Sequence, residues 1–185
     1  MIERLDLNDS VGSGLILPAC VAERFAAPRF HFNVECRRDG KRIWTEDFWN
    51  TVMTAGKNDL LDKYFAGSGY TAAWYFMLIS STGYSAIAAA DTMASHAGWT
   101  EDVNYSNATR VAIAFAAASG GSKATSAGSA FNINGSTTIK GAAVTTGSAK
   151  SGTAGILYSA ALFNSPGDRV VVLNDVLNVT GTWAT

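Results

Sequence analysis

"RFHFNVECRRDGKRIWTEDF", residues 29–48, decides the fold class. Phe30, Phe32, Val34 and Cys36 alternate with His31, Asn33, Glu35 and Arg37, so an extended backbone puts the first four on one face and the second four on the other. Asp39-Gly40 then supplies a tight-turn pair whose backbone matches the twist of paired strands, and a second strand runs through Ile43 to Phe48. The stretch predicts a β-hairpin with one apolar face. His31 falls on the polar face and reads as a solvent-facing strand residue.

Beyond the hairpin the period changes. In "NTVMTAGKNDLLDKYFAG", residues 50–67, Val52, Gly56 and Lys57, Leu60, Leu61, Tyr64 and Phe65 recur at helical spacing, and Gly67 makes a stop. Gly56-Lys57 is not a phosphate loop, because the earlier glycine is missing and no Ser or Thr follows the lysine. "TAAWYFMLIS", residues 71–80, is a continuous apolar run whose aromatic content favours a buried strand.

From residue 100 onward the chain reads as short strands at about 101–105, 109–118, 128–134, 137–145, 156–163, 169–173 and 176–183. "ASGGSKATSAGS", residues 118–129, reads as a flexible loop, and Asn174-Asp175 as the tight turn of the last hairpin. About ten short strands with one or two short helices predict a mainly-β chain. The expected architecture is an antiparallel β-sandwich, jelly-roll or immunoglobulin-like in its connections.

Upstream of the hairpin, residues 1–28 hold neither periodicity. Leu5, Leu7, Leu15, Ile16, Leu17, Val21 and Phe25 are separated by Gly12, Gly14, Pro18 and Pro28, which prevent one long regular element. The division expected is an extended N-terminal arm over 1–28 and a β-sandwich domain over 29–185. An apolar arm without a core of its own should dock on a neighbouring subunit.

"DTMASHAGWTEDVNYSNATR", residues 91–110, collects Asp91, Ser95, His96 and Glu101. A Ser-His-Asp hydrolase needs a nucleophile on a sharp turn, a base within reach and an oxyanion hole, and the chain has no Gly-x-Ser-x-Gly elbow. Asp91 reads as the N-cap of a short helical turn, and His96 as a structural histidine near Trp99. His96 and His31 stand far apart, and Cys20 and Cys36 lack companions at ligand spacing. Hence neither a metal nor another cofactor is expected.

Composition narrows the remaining function classes. The 185 residues suit one domain with an arm, and 30 alanines inflate an apolar fraction of 48%. A net charge of −1 leaves no basic excess for nucleic acid. No stretch approaches the roughly 18 apolar residues needed to span a bilayer. Acids precede the first apolar run, unlike a signal peptide, so synthesis in a cytoplasm with reduced cysteines is expected. Residues 1–63 carry 19 of the 29 charges and residues 111–185 only six. So uneven a surface suits a protein that works against other proteins.

"NDLLDKYFAGSGYTAAWY" (58–75), "AADTMASHAGWTEDVNYSNATR" (89–110), "GTAGILYSAALF" (152–163) and "NDVLNVTGTW" (174–183) together resemble a family of small virion proteins of tailed bacteriophages. The resemblance covers about residues 30 to 183. One departure is Asn174-Asp175 where relatives tend to have Gly-Asp, which keeps the turn chemistry. What the resemblance implies is a non-enzymatic capsid decoration, or cement, protein on the outer surface of the head, where it stabilises contacts between major capsid protein subunits. Its expected partners are that major capsid protein and itself, as a homotrimer, and its place is the virion after assembly in the host bacterial cytoplasm. The arm residues and the aromatic hairpin (Phe30, Phe32, Trp44, Phe48, Trp49) are the expected interface. The alternative is a tail, neck or head-fibre protein whose loops bind a host surface.

Overall fold

The computed structural model describes residues 29–67, 69, 73–164 and 167–184. Strand β1 (Arg29–Arg38) and strand β2 (Lys41–Trp49) form the expected hairpin, in register from His31 opposite Trp49 to Arg38 opposite Lys41. Asp39 (φ 50°) and Gly40 (φ 75°) both take the left-handed backbone that a two-residue hairpin turn needs. The register slips by one residue beside Cys36 and Arg37, which leaves Ile43 outside the pairing and 48% exposed. Phe30, Phe32, Val34 and Cys36 are completely buried, as their alternation requires.

The chain continues through β3 (Thr51–Val52), α1 (Thr54–Phe65), β4 (Tyr75–Ser80), β5 (Glu101–Asp102), β6 (Val111–Ala112), β7 (Ser122–Ala124), β8 (Ser129–Asn132), β9 (Thr137–Thr145), β10 (Leu157–Leu162), β11 (Arg169–Val171) and β12 (Val176–Ala184). All strand pairings are antiparallel, and they make two sheets. The first runs β2-β1-β12, with β7 and β8 end to end on the far side of β12. The second runs β3-β10-β9-β4-β5, with β11 also on β9 and β6 also on β4. The fold is a β-sandwich. Its first and last described strands lie side by side, from Arg29 opposite Ala184 to Arg37 opposite Val176.

Between the sheets lies the main core, with Phe30, Phe32, Phe48, Phe131, Leu177 and Val179 from one side and Phe76, Leu78, Ile139 and Val144 from the other. Phe32 stacks on Phe48 at 5.0 Å between ring centroids, and Phe30 reaches Phe76 across the sandwich at 5.9 Å. A second, smaller cluster of Met53, Met77, Ile79, Met93 and Trp99 fills the outer face of the second sheet. That cluster explains why residues 76–79 read as a continuous apolar run. Phe76 and Leu78 enter the main core, while Met77 and Ile79 lie under the connection that carries Met93 and Trp99.

Buried charges are held by ion pairs or, for Asp102, by hydrogen bonds from Asn104 and Thr137, as burial demands. Arg110 and Glu101, with side chains 1% and 3% exposed, form a two-pronged pair at 2.9 and 2.8 Å. Arg110 also donates to the carbonyls of Gly147 and Gly152, and the Ser151 amide donates to Glu101. Arg38 grips the buried Asp175 at 2.7 and 2.9 Å, and Arg169 grips Glu46.

Four local expectations differ from the structure. Residues 91–98 hold turns instead of a helical turn, so the one helix among the described residues is α1. The strands expected over 101–105 and 109–118 shrink to two residues each. Part of the expected loop over 118–129 pairs with β12 as β7. Asn174 (φ 71°) does turn the chain, yet it joins no hairpin: β11 belongs to the second sheet and β12 to the first.

Candidate docking surface

Helix α1 sits against β10 through one small residue. A Cβ at Gly56 would lie 2.6 Å from the Tyr158 carbonyl oxygen and 2.9 Å from its Cα, so only glycine allows so close an approach. Gly56 is also the one fully buried residue of the helix. The Thr54 amide donates to the Ala89 carbonyl at 2.9 Å, which satisfies one of the orphan donors at the helix start. Gly67, with φ 66°, takes the left-handed position just beyond the helix end.

With the small residue inward, the large apolar side chains face out. Leu60 is 40% exposed, Leu61 53%, Tyr64 79% and Phe65 78%. The helical period read in the sequence is present, and its apolar stripe is exposed. Tyr64 and Phe65 meet edge to face at 4.9 Å.

Leu60 also borders a groove of about 300 Å³ lined by Trp74, Phe115, Ala118, Tyr158, Trp183 and Ala184. Its walls are aromatic pairs: Trp74 against Tyr158 at 5.4 Å, and Phe115 against Trp183 at 4.7 Å. Lys123, also in the lining, stands over the Phe115 ring at 5.6 Å and donates to the Ala116 carbonyl. Burial, and then the charge of Asp59, raises the Tyr158 hydroxyl above its usual pKa, so it stays protonated. Leu60 belongs to both the helix stripe and the groove.

A different surface lies on the outer face of the first sheet. His31, Asn33, Asp47, Thr180 and Thr182 floor a polar trough of about 360 Å³, with residues 124–128 as its wall. His31 Nε2 lies 2.5 Å from Asp47 Oδ1, and Asn33 donates to Asp47 Oδ2 at 3.3 Å. The Trp49 ring, in a residue 56% exposed, lies 4.5 Å from His31.

The sequence-derived interface residues fall in three places. Leu5, Leu7, Leu15, Ile16, Leu17, Val21 and Phe25 lie outside the described residues, as does Cys20. Trp44 is half-buried against Phe163, and Trp49 is exposed beside the trough. Phe30, Phe32 and Phe48 belong to the core, with exposures of 3% or less, and are therefore withdrawn from the expected interface. Leu60, Leu61, Tyr64 and Phe65 were visible as a helical period but not as a surface. Trp74, Phe115 and Trp183 carried no sequence signal, because three distant segments bring them together.

In the 91–110 stretch, Asp91 accepts from the Trp99 indole at 2.9 Å and from the Ala88 amide at 3.0 Å. His96 Nδ1 lies 2.9 Å from the Trp99 carbonyl, and its ring stacks on the indole at 4.2 Å. These side chains pin the connection over the second sheet. Among the described residues no group of three or more His, Cys, Asp or Glu could hold a metal ion, and no helix is long and apolar enough to cross a membrane. No family model matches the chain, and no curated protein matches it either.

Proposed function

We propose that this chain is a non-enzymatic decoration protein of a tailed-bacteriophage head, which binds the outer surface and stabilises contacts between major capsid protein subunits. The observation that carries the proposal is the outward apolar stripe of α1 with its adjoining aromatic groove. Tyr64 and Phe65, each more than three-quarters exposed, leave apolar area in water that a partner would cover. A coat component suits such a surface, because many modest contacts act together on one particle. The partners in this reading are the major capsid protein and further copies of this chain as a homotrimer.

Tyr64→Ser combined with Phe65→Ser tests the proposal. Both rings are exposed, so the melting transition should move by no more than about 0.5 kcal/mol equivalent, while occupancy on purified particles falls sharply. Full occupancy by the double variant would remove the helix from the contact. Gel densitometry of wild-type particles should give on the order of hundreds of copies per head if avidity over the coat is the mode of action.

The polar trough favours a second reading, a tail, neck or head-fibre protein that binds a host glycan. An exposed indole beside Asp47, Asn33 and His31 offers a stacking face and hydrogen-bonding groups to a sugar ring. A copy number in the tens or fewer, with soluble oligosaccharides quenching Trp49 fluorescence in wild type and not in Trp49→Phe, would favour it over the first.

A further inference from the structure

We infer that Asn134 is a self-modification site, where the backbone nitrogen of Gly135 attacks the side-chain amide and the chain acquires an aspartyl or isoaspartyl residue without any enzyme. The inference stands apart from the docking surface and from any particle. Asn134-Gly135 is the one Asn-Gly pair in the sequence. A glycine on the C-terminal side has no Cβ to obstruct the approach, and its backbone turns freely into the geometry that closes an imide ring. The fold leaves both reacting groups open. Asn134 is exposed in the connection from β8 to β9. Among the described residues its side-chain amide makes no hydrogen bond, and the Gly135 amide donates none. Other asparagines are engaged. Asn33 and Asn164 donate to Asp47, Asn104 donates to Asp102, and Asn107 bonds the backbone at Ala130 and Asn132. The amide that follows Asn174 donates to the Val172 carbonyl, and Asn132 and Asn178 lie in strands ahead of the β-branched Ile133 and Val179.

The reaction needs nothing but water. The Gly135 nitrogen bonds to Asn134 Cγ, the Cγ–Nδ2 bond breaks, and the Gly135 proton leaves with the amide nitrogen as ammonia. Water then opens the cyclic imide at one of its two carbonyls. Opening at Cγ restores the main chain and leaves an aspartyl side chain. Opening at the backbone carbonyl carbon routes the main chain through the former side chain and gives the isoaspartyl form. The surroundings give that second product a consequence. Ile133 accepts from the Asn174 amide and donates to the Asp175 carbonyl, both at 2.9 Å, while Thr137 pairs with Val171. The extra main-chain carbon therefore falls in a short link fixed at both ends. The Asn134 amide also donates to the Asn104 carbonyl at 3.2 Å, and Asn104 holds the buried Asp102. Conversion thus adds a negative charge to a segment that already supports one out of water.

Incubation of the folded full-length chain in heavy-oxygen water, at neutral and at mildly alkaline pH, tests this. Digestion and mass spectrometry, with fragmentation that separates isoaspartyl from aspartyl peptides, then read each asparagine. Asn134 should convert faster than all the others together, take up the heavy oxygen, and speed up with pH because the attacking nitrogen must shed its proton. Gly135→Ala should suppress the conversion and keep the fold, since a Cβ there comes no closer than 3.4 Å to any neighbour, the nearest being Asn104 Oδ1. The urea-unfolded chain is the reference. Folding should protect Asn33, Asn104 and Asn107 while leaving Asn134 close to its unfolded rate. A folded chain that keeps Asn134 intact until urea is added would overturn the inference. So would conversion of Asn174 at an equal rate, or conversion of Asn134 undiminished in Gly135→Ala.

Discussion

Trp99 joins three roles in one side chain. It is 1% exposed, fills the cluster over the second sheet, and its indole N–H is held by Asp91. Trp99→Ala should cost about 3–5 kcal/mol, by the sum of lost burial and the cavity left behind. In a chain of this length that lowers the melting temperature by on the order of 10 °C, which differential scanning calorimetry would read. Asp175 makes a prediction in pH. The hydrogen bonds from Arg38 come first among the causes that hold its carboxyl below the ordinary 3.8, and those of Lys140 and Ser81 do the same for Asp168. A depressed carboxylate stabilises the fold above its unfolded pKa and ceases to do so as pH falls through the folded value. Stability should therefore be level above about pH 4 and decline below it. Asp175→Asn should flatten part of that acid limb in urea titrations run at successive pH values, and an unchanged limb would remove Asp175 as its source. At this scale the sequence was partly legible. His96 beside Trp99 could be read from their spacing, whereas Asp91 looked like a helix cap because a carboxylate before a short apolar stretch has the same signature whether it caps a helix or accepts from an indole.

Elements with a long period were readable, and elements held only by a neighbour were not. β1 and β9 span nine or ten residues, long enough for their own patterns to declare them. β7 is three residues of Ser-Lys-Ala, which carry no pattern; it is a strand because β12 offers it an edge. The direction of α1 was hidden for a related reason. A helical period shows that apolar residues share a face, but the position of the core decides which way the face turns. Here Gly56 decides it, because the helix approaches β10 most closely where the side chain is absent. Gly56→Ala should accordingly behave as an overpacking change. The new methyl meets the Tyr158 backbone, which cannot rotate away, and the cost should be about 1–3 kcal/mol despite the better helix propensity of alanine. A gain in stability on denaturant unfolding would show that the helix moves freely over the strand.

For the whole molecule, the two-sheet class followed from strand spacing and turn chemistry, while the order of strands within each sheet did not. Nothing local in "NDVLNVTGTW" tells that β12 will lie between β1 on one side and β7 and β8 on the other. That position makes β12 the strand on which the first sheet depends. Removing residues 176–185 should leave a chain with no cooperative thermal transition, since β1 would lose one of its two partner strands and Phe131 its cover; a sharp transition in that truncation would contradict the central role. The same arrangement bears on how the protein is made. At about 5–20 residues per second, a ribosome that has finished β1 needs roughly 7–30 seconds to reach the end of β12. Throughout that interval the edge of β1 that β12 will cover stays open, even after β4 has supplied Phe76 and Leu78 to the phenylalanines of the hairpin. The first sheet can therefore be completed only once β12 has been made, so the folding of this sandwich waits on its last described strand.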